Sequence, residues 1–399
     1  MMKTDSSDNI IKDSFYHPGL LSDRSYQMCS KTIMDTTDPN IDFDEKGVSN
    51  HYYQYELAAS QNLLPEPRRS QELERLVSVI KKNGKGKKYD CLIGLSGGVD
   101  SSYVAWLVHD LGLRPLAVHL DNGWNTELAV HNVHEIVSRL NFRLHTLVVN
   151  WEEFKDIQLA YLKASVVDIE VVSDHAIFAT MYKLAKERNI PYIISGTNIV
   201  TEEIMPSSWL YHKMDYANLK DIHRQFGTTK LKTYPTFNFR KYVYYSAVFG
   251  LVPISILNYT DYIKSEAKKT IISELDWRDY GGKHYESLFT KFYQAYILPQ
   301  KFGIDKRKAH LSTLICSGQM TRAEALDELK KPLYDQQQLE EDKEYVLKKF
   351  ELSEVEFEDI MKTPPRPHSD FKSDIPLKKK YMELLKKTSS FRRFFKSGK

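Results

Sequence analysis

Between Tyr89 and Ser195 the chain alternates short apolar runs with segments of helical length. The alternation predicts strands at 90–95, 115–120, 144–149 and 191–195, helices at 99–111 and 126–140, and helical segments from there through Arg188. A preceding helix at 69–82 carries Leu73, Leu76, Val77 and Ile80 as an apolar stripe and ends in the basic, glycine-containing linker Lys81–Lys88. Strands separated by helix-length segments form βαβ units, so the fold class is α/β: a parallel sheet with helices on both faces. Past residue 200 the α/β rhythm is lost and helices dominate, punctuated by Pro206, Pro235, Pro253 and Pro299. The pattern divides the chain into a flexible 1–25, an N-terminal module at 26–60, the α/β domain at 61–200, a mostly helical region at 201–335 and a helical basic extension at 336–399.

In such a sheet, ligands bind outside the carboxyl ends of the strands. Three strand ends carry suggestive residues. After the first comes Ser96-Gly97-Gly98-Val99-Asp100-Ser101-Ser102, where the glycines let the backbone approach an anion, the helix N-terminus favours negative charge, and Asp100 is a metal-capable carboxylate. It is not a Walker loop, since the glycines are adjacent and no Gly-Lys-Ser/Thr follows. The second is His119–Trp124, whose backbone near Leu120 and Asp121 is placed to meet a base or ribose; the third is Ser195-Gly196-Thr197-Asn198. Each alone reads as an ordinary turn, and their recurrence at successive strand ends argues for one shared site.

Further along, Arg278, Lys283, His284, Glu286, Lys306 and Arg307 crowd donors and a proton carrier into short segments, as an anionic substrate would require. For 305–308 a solvated charged helix face remains the alternative. With 42% hydrophobic residues and a net charge of +3 in 399 residues, composition calls for an ordinary globular protein and for neither nucleic acid nor membrane. The basic, aromatic C-terminus, Lys378–Lys387 and Phe391–Lys396, is compatible with RNA or an acidic partner, but a solvated last helix is the simpler reading. No signal-like stretch opens the chain and no run of about 18 apolar residues occurs, so a cytoplasmic location is expected. Three cysteines, Cys29, Cys91 and Cys316, are too few for a disulfide framework.

Ser96–Ser101 matches the SGGxDS loop of the ATP pyrophosphatases, the superfamily of asparagine, GMP and NAD synthetases. With His119–Asn125, Ser195–Asn198, Trp277–Tyr293 and Gly303–Gln319 it resembles the N-acetyl sugar amidotransferases of bacterial surface-polysaccharide and flagellar-glycan pathways, over about residues 26–335. The resemblance implies an adenine nucleotide alpha-hydrolase-like fold, with ATP and Mg²⁺ as cofactors. It further implies conversion of an acetamido group on a sugar or nucleotide sugar to an acetamidino group, with ammonia from a separate glutaminase and a cyclase-like channel subunit. Ser96, Gly97, Gly98, Ser101 and Ser102 would hold the departing pyrophosphate and Asp100 the Mg²⁺. Lys283, Lys306 or Arg307 would offset its charge, and Asp174 and Glu203 would orient ammonia or take its proton.

Family members also carry two Cys-x-x-Cys-type pairs flanking a Met-Asp-Thr-Thr-Asp-Pro segment, with the spacing of a four-thiolate zinc site. Here Met34–Pro39 is intact, but only Cys29 remains; the other positions read Thr32, Ser49 and Tyr52, and Cys29 with His51 leaves at most two ligands. No structural zinc is expected. Two alternatives stay open: an RNA-thiolating relative, which would be expected to show catalytic cysteines, and a degenerate scaffold of the sugar pathway.

Overall fold

The computed structural model describes residues 25–281 and 285–384. Lys283, His284, residues 1–24 that the sequence expects to be flexible, and most of the basic tail therefore lie outside the described residues. In chain order the elements are α1 (Asn50–Asn62), α2 (Arg68–Asn83), β1 (Cys91–Gly94), α3 (Val99–Asp110), β2 (Pro115–Asp121), α4 (Glu127–Arg139), β3 (Arg143–Val148), α5 (Trp151–Lys163), α6 (Val171–Glu187), β4 (Tyr192–Ser195) and α7 (Ile199–Glu202). There follow α8 (Tyr216–Phe226), α9 (Phe239–Val243), β5 (Val252–Ser255), α10 (Lys264–Leu275), α11 (Leu288–Phe292), α12 (Leu298–Phe302), α13 (Arg307–Cys316), α14 (Arg322–Lys330), α15 (Gln336–Phe350) and α16 (Glu354–Lys362).

The five strands form one parallel sheet in the order β3-β2-β1-β4-β5. Successive residues of a strand point to opposite faces, so a sheet covered on both sides needs apolar residues at every position. Cys91 and Ile93 pack on one face with Leu76 and Ile80 of α2, Val104 and Val108 of α3 and Ile271 of α10, while Leu92, Leu116 and Ile193 face Met181 and Ala185 of α6. This is the expected α/β architecture with helices on both faces.

One expectation is corrected. The sheet does not end near residue 200, because β5 pairs with β4 in the register Tyr192↔Val252 through Ser195↔Ser255. Its pattern is hard to read as a strand, with four residues and an internal proline. Pro253 is tolerated because β5 is an edge strand.

A third apolar cluster joins the carboxyl edge of the sheet to the helices beyond it. Trp124, in the loop after β2, is 2% exposed; it stacks on Phe289 at 5.1 Å, lies 5.2 Å from Phe350 and 5.4 Å from Trp151, and donates from Nε1 to Gln158 Oε1 at 2.7 Å. The N-terminal module docks on α13: Ile33 N–H donates to Ser312 Oγ (3.2 Å), Lys308 pairs with Asp35 (2.5 Å), and Arg322 donates to the carbonyls of Thr32 and Cys29. Among the described residues no helix is long and apolar enough to cross a membrane.

Because Trp124 is the joint between sheet edge and helical region, Trp124→Ala should cost about 3–5 kcal/mol. The loss is read from the urea midpoint of the full chain, and it should exceed that of an exposed change such as Val148→Ala.

Candidate functional site

The loop between β1 and α3 is shaped by one peptide. Gly97 has φ +91°, and a Cβ there would sit 3.0 Å from the Ala129 carbonyl oxygen, so only glycine fits. The Gly97 carbonyl is held from behind by two donors, Trp277 Nε1–H and Tyr280 O–H, both at 2.8 Å. A trans peptide points its C=O and the next N–H in opposite directions, so this grip turns the Gly98 N–H forward. In front, the Ser96 and Ser101 hydroxyls lie 3.0 Å apart; Gly98 N–H donates to Ser96 Oγ (3.2 Å) and Ser96 N–H to Ser101 Oγ (3.3 Å). The start of α3 leaves the N–H groups of Val99, Asp100 and Ser101 without intrahelical acceptors. Backbone donors and two hydroxyls thus face one spot at a helix N-terminus, the chemistry of an anion site.

The other two strand ends close around it. Gly196 packs on Asp100 so tightly that a Cβ would lie 3.0 Å from the Asp100 carbonyl carbon. Ser195, Thr197 and Ser255 form a hydroxyl chain across β4 and β5, with Oγ–Oγ1 and Oγ1–Oγ distances of 2.7 and 2.8 Å. His119 Nδ1–H donates to Leu95 O (2.8 Å) and its Nε2 accepts from Asn125 Nδ2 (3.1 Å), which ties the ends of β1 and β2 together. Ser255 and Tyr262, which donates to Asp100 Oδ1, were not singled out in the sequence; Tyr262 sits in a loop with no motif to mark it.

Several expected residues have other work. Ser102 is fully buried on the inner side of α3, its Oγ without a hydrogen-bond partner among the described residues, and does not face the loop's mouth. Asn198 caps α7 through Thr201 and returns its amide to Gly196 O, so both ends are used. Asp121 closes its own turn by accepting from Gly123 N–H, and Leu120 O accepts from Asn125 Nδ2 at 3.4 Å. Arg307 pairs with Asp305 through Nε and Nη2 and spends its remaining donors on the carbonyls of Glu328, Leu329 and Lys331. It secures α13 against α14 and is withdrawn from the site. Lys306, 6% exposed, is bound to Glu170 at 2.6 Å. Val99 opens α3 as expected.

Asp174 belongs to a second polar cluster at the start of α6, linked to the β2 loop by Asn122 Nδ2 donating to Ser173 Oγ (3.2 Å). Lys213 bridges Asp168 (2.7 Å) and Asp174 (3.1 Å), while Glu170 takes Lys306 and Gln294. The Asp174 side chain is 39% exposed. Burial raises its carboxyl above the ordinary value, Lys213 opposing and Glu170 and Asp168 adding to it. Glu203, at the end of α7 and close to Tyr55, is pushed by burial up to about 7.

Residues 277–281 and 285–287 lie against the loop from the side of α4. Asn132 holds the backbone of Arg278 on both sides, at 2.8 and 2.9 Å, and Thr126 N–H donates to Glu286 O at 3.0 Å. Glu286 Oε1 comes within 3.5 Å of where a Gly98 Cβ would be.

In the N-terminal module, Cys29 Sγ accepts N–H bonds from Ser49 (3.2 Å) and Thr32 (3.4 Å), and His51 is committed to Asp38 at 2.6 Å. Among the described residues no group of three or more His, Cys, Asp or Glu is arranged to hold a metal.

Two predictions follow from this geometry. Gly97→Ala should lower stability by about 1–3 kcal/mol through backbone strain, measured by thermal unfolding. For Glu203, the folded state between about pH 4.5 and 7 holds a proton the unfolded chain has lost, so stability falls as pH rises through that window and is level above it. Glu203→Gln should therefore raise the melting temperature at pH 8 and leave it nearly unchanged at pH 4.

Comparison with known proteins gives three results. Residues 286–386 match the family model of the C-terminal domain of WbpG-like lipopolysaccharide (LPS) biosynthesis proteins. No curated protein matches. Among solved structures, the NH3-dependent NAD synthetase from Campylobacter jejuni, in complex with nitrate, is 19% identical with a TM-score of 0.26 over 33% of this chain and 58% of its own. The NMN synthetase from Francisella tularensis is 17% identical with a TM-score of 0.28 over 58% of this chain and 93% of its own. At such scores the fold rests on the strand order above. The family match is confined to residues 286–386, the part of the chain that follows the sheet.

Proposed function

We propose that the protein is an ATP-dependent amidotransferase that converts an acetamido group of a sugar or nucleotide sugar into an acetamidino group, using ammonia from a separate glutaminase delivered through a cyclase-like channel subunit. The observation that carries this reading is the Gly97 loop, whose forward-facing amides and paired hydroxyls suit a pyrophosphate leaving group. The matched lipopolysaccharide biosynthesis domain supports a sugar as the second substrate.

An amide carbon resists ammonia until its oxygen becomes a leaving group. The amide oxygen would attack the α-phosphorus of ATP, pyrophosphate departing; ammonia would add to the adenylated imidate carbon, and AMP would leave with the oxygen. Ser96 and Ser101 hydroxyls and the N–H groups of Gly98 to Ser101 would hold the pyrophosphate oxygens, a stabilisation made before the reaction begins. Asp100 fits a Mg²⁺ ligand, as one carboxylate beside a phosphate site is the usual protein share of such a site. Mg²⁺ there would neutralise charge on the phosphates. With Lys306 and Arg307 engaged elsewhere, the backbone dipoles at α3 carry more of the anion's charge than the motif alone suggests. Asp174, with its raised carboxyl and access to solvent, is the better placed of the two acids to accept the proton that ammonia sheds.

The test follows AMP and pyrophosphate release from ATP over a panel of acetamido sugars and nucleotide sugars, with ammonium chloride as the nitrogen source. The expected outcome is sugar-dependent AMP and pyrophosphate, a product lighter by the exchange of oxygen for NH, loss of turnover in Asp100→Ala, and a fall of about 100-fold in kcat for Ser101→Ala. ADP and phosphate, or turnover only with RNA and a sulfur donor, would overturn it; no ATP binding at all would point to the scaffold.

A further inference from the structure

We propose that Tyr262 is a positioning residue for Asp100: it holds one carboxylate oxygen so that the other is left toward the phosphate loop for the divalent cation, and Gln319 holds Tyr262 in place. The proposal rests on the reading of that loop as a nucleotide phosphate site.

Tyr262 O–H donates to Asp100 Oδ1, and Asp100 Oδ2 takes no hydrogen bond from the described residues. The tyrosine is 3% exposed and its ring lies 5.5 Å from Tyr103 of α3, so the phenol has little freedom to swing away. Gly196 also packs on Asp100, with a would-be Cβ 3.1 Å from the Asp100 Cβ. With its backbone and Cβ packed against Gly196 and one carboxylate oxygen held by the phenol, Asp100 keeps one orientation. Such outer hydrogen bonds orient metal ligands, and losing one typically costs about 10–100-fold in metal affinity.

The grip reaches beyond the sheet. Gln319, after α13, donates from Nε2 to Tyr262 O (3.0 Å) and accepts at Oε1 from Lys264 N–H (2.9 Å), clasping the backbone on both sides of residue 263. Its amide touches neither Asp100 nor the phosphate loop in any of these bonds, so it acts through Tyr262. Trp277 and Tyr280 instead hold Gly97 O, the amide-presenting side of the same loop. The aromatic residues therefore divide the loop: Tyr262 serves the metal arm, and Trp277 with Tyr280 serves the phosphate arm.

The division gives a readout that a merely structural role would not move. Affinities of the full chain for ATP are measured by isothermal titration with Mg²⁺ and with EDTA, and the ratio of the two reports the metal arm. In Tyr262→Phe the ratio should fall by about 10-fold while metal-free ATP binding stays within about twofold. In Trp277→Phe the metal-free affinity should fall and the ratio should hold. Gln319→Ala should lower the ratio in part, and the Tyr262→Phe/Gln319→Ala double variant should fall no further than Tyr262→Phe, because the two share one route. If Tyr262→Phe does not fold, Gln319→Ala, which keeps the phenol, decides by the same ratio. An unchanged ratio in a folded Tyr262→Phe, or additive losses in the double variant, would overturn the proposal. Absence of ATP binding by the unaltered protein would instead overturn the reading of the loop on which it rests.

Discussion

The structure depends on one peptide unit. The bond between Gly97 and Gly98 must present its N–H to the open side of the sheet and its carbonyl to the interior, and no other residue than glycine can take that turn beside Ala129. A turned peptide costs free energy unless its buried carbonyl is satisfied. The donors that satisfy it come from Trp277 and Tyr280, 180 and 183 residues later in the chain. The Gly97 loop is therefore not a local motif that happens to sit in a fold. It is completed only when the segment after α10 has been carried back over the sheet, and α10 itself packs on α3 to bring it there.

The same economy governs charge. Two of the three cations that the motif reading would bring to the loop are consumed within the fold: Arg307 braces α13 and α14, and Lys306 pairs with Glu170 at the start of α6. The donors at the anion position are backbone N–H and hydroxyl, which carry no mobile charge and need no rearrangement when an anion arrives, with the Glu286 carboxylate at the edge beside Gly98. The acids are also sorted. Asp100 is held at the loop, whereas Asp168, Glu170 and Asp174 form a separate cluster, with only Asp174 substantially open to solvent.

Much of this was legible before the structure. The expected strands at 90–95, 115–120, 144–149 and 191–195 correspond to Cys91–Gly94, Pro115–Asp121, Arg143–Val148 and Tyr192–Ser195, because buried parallel strands leave unbroken apolar runs. Val252–Ser255 escaped notice because an edge strand tolerates the proline that argues against a central one. At the site, residue type marks the turn where the backbone sets the shape, at Gly97 and Gly98, but does not show which side chains have competing partners. Asn198, Ser102 and Arg307 have the right chemistry, but capping, burial and carbonyl contacts claim them first. Tyr262 shows the converse: nothing in its neighbours along the chain marks it, and its role arises only from where the fold puts Asp100.

The central claim is that the three strand ends and residues 277–281 form one nucleotide site. Hydrogen exchange of the full chain with and without Mg-ATP tests it most directly. The account predicts slowed exchange at 96–102, at 195–198 and at 277–281 together, since residues 277–281 and the loop share the Gly97 carbonyl. Protection confined to other parts of the chain, or at 277–281 without the loop, would contradict it.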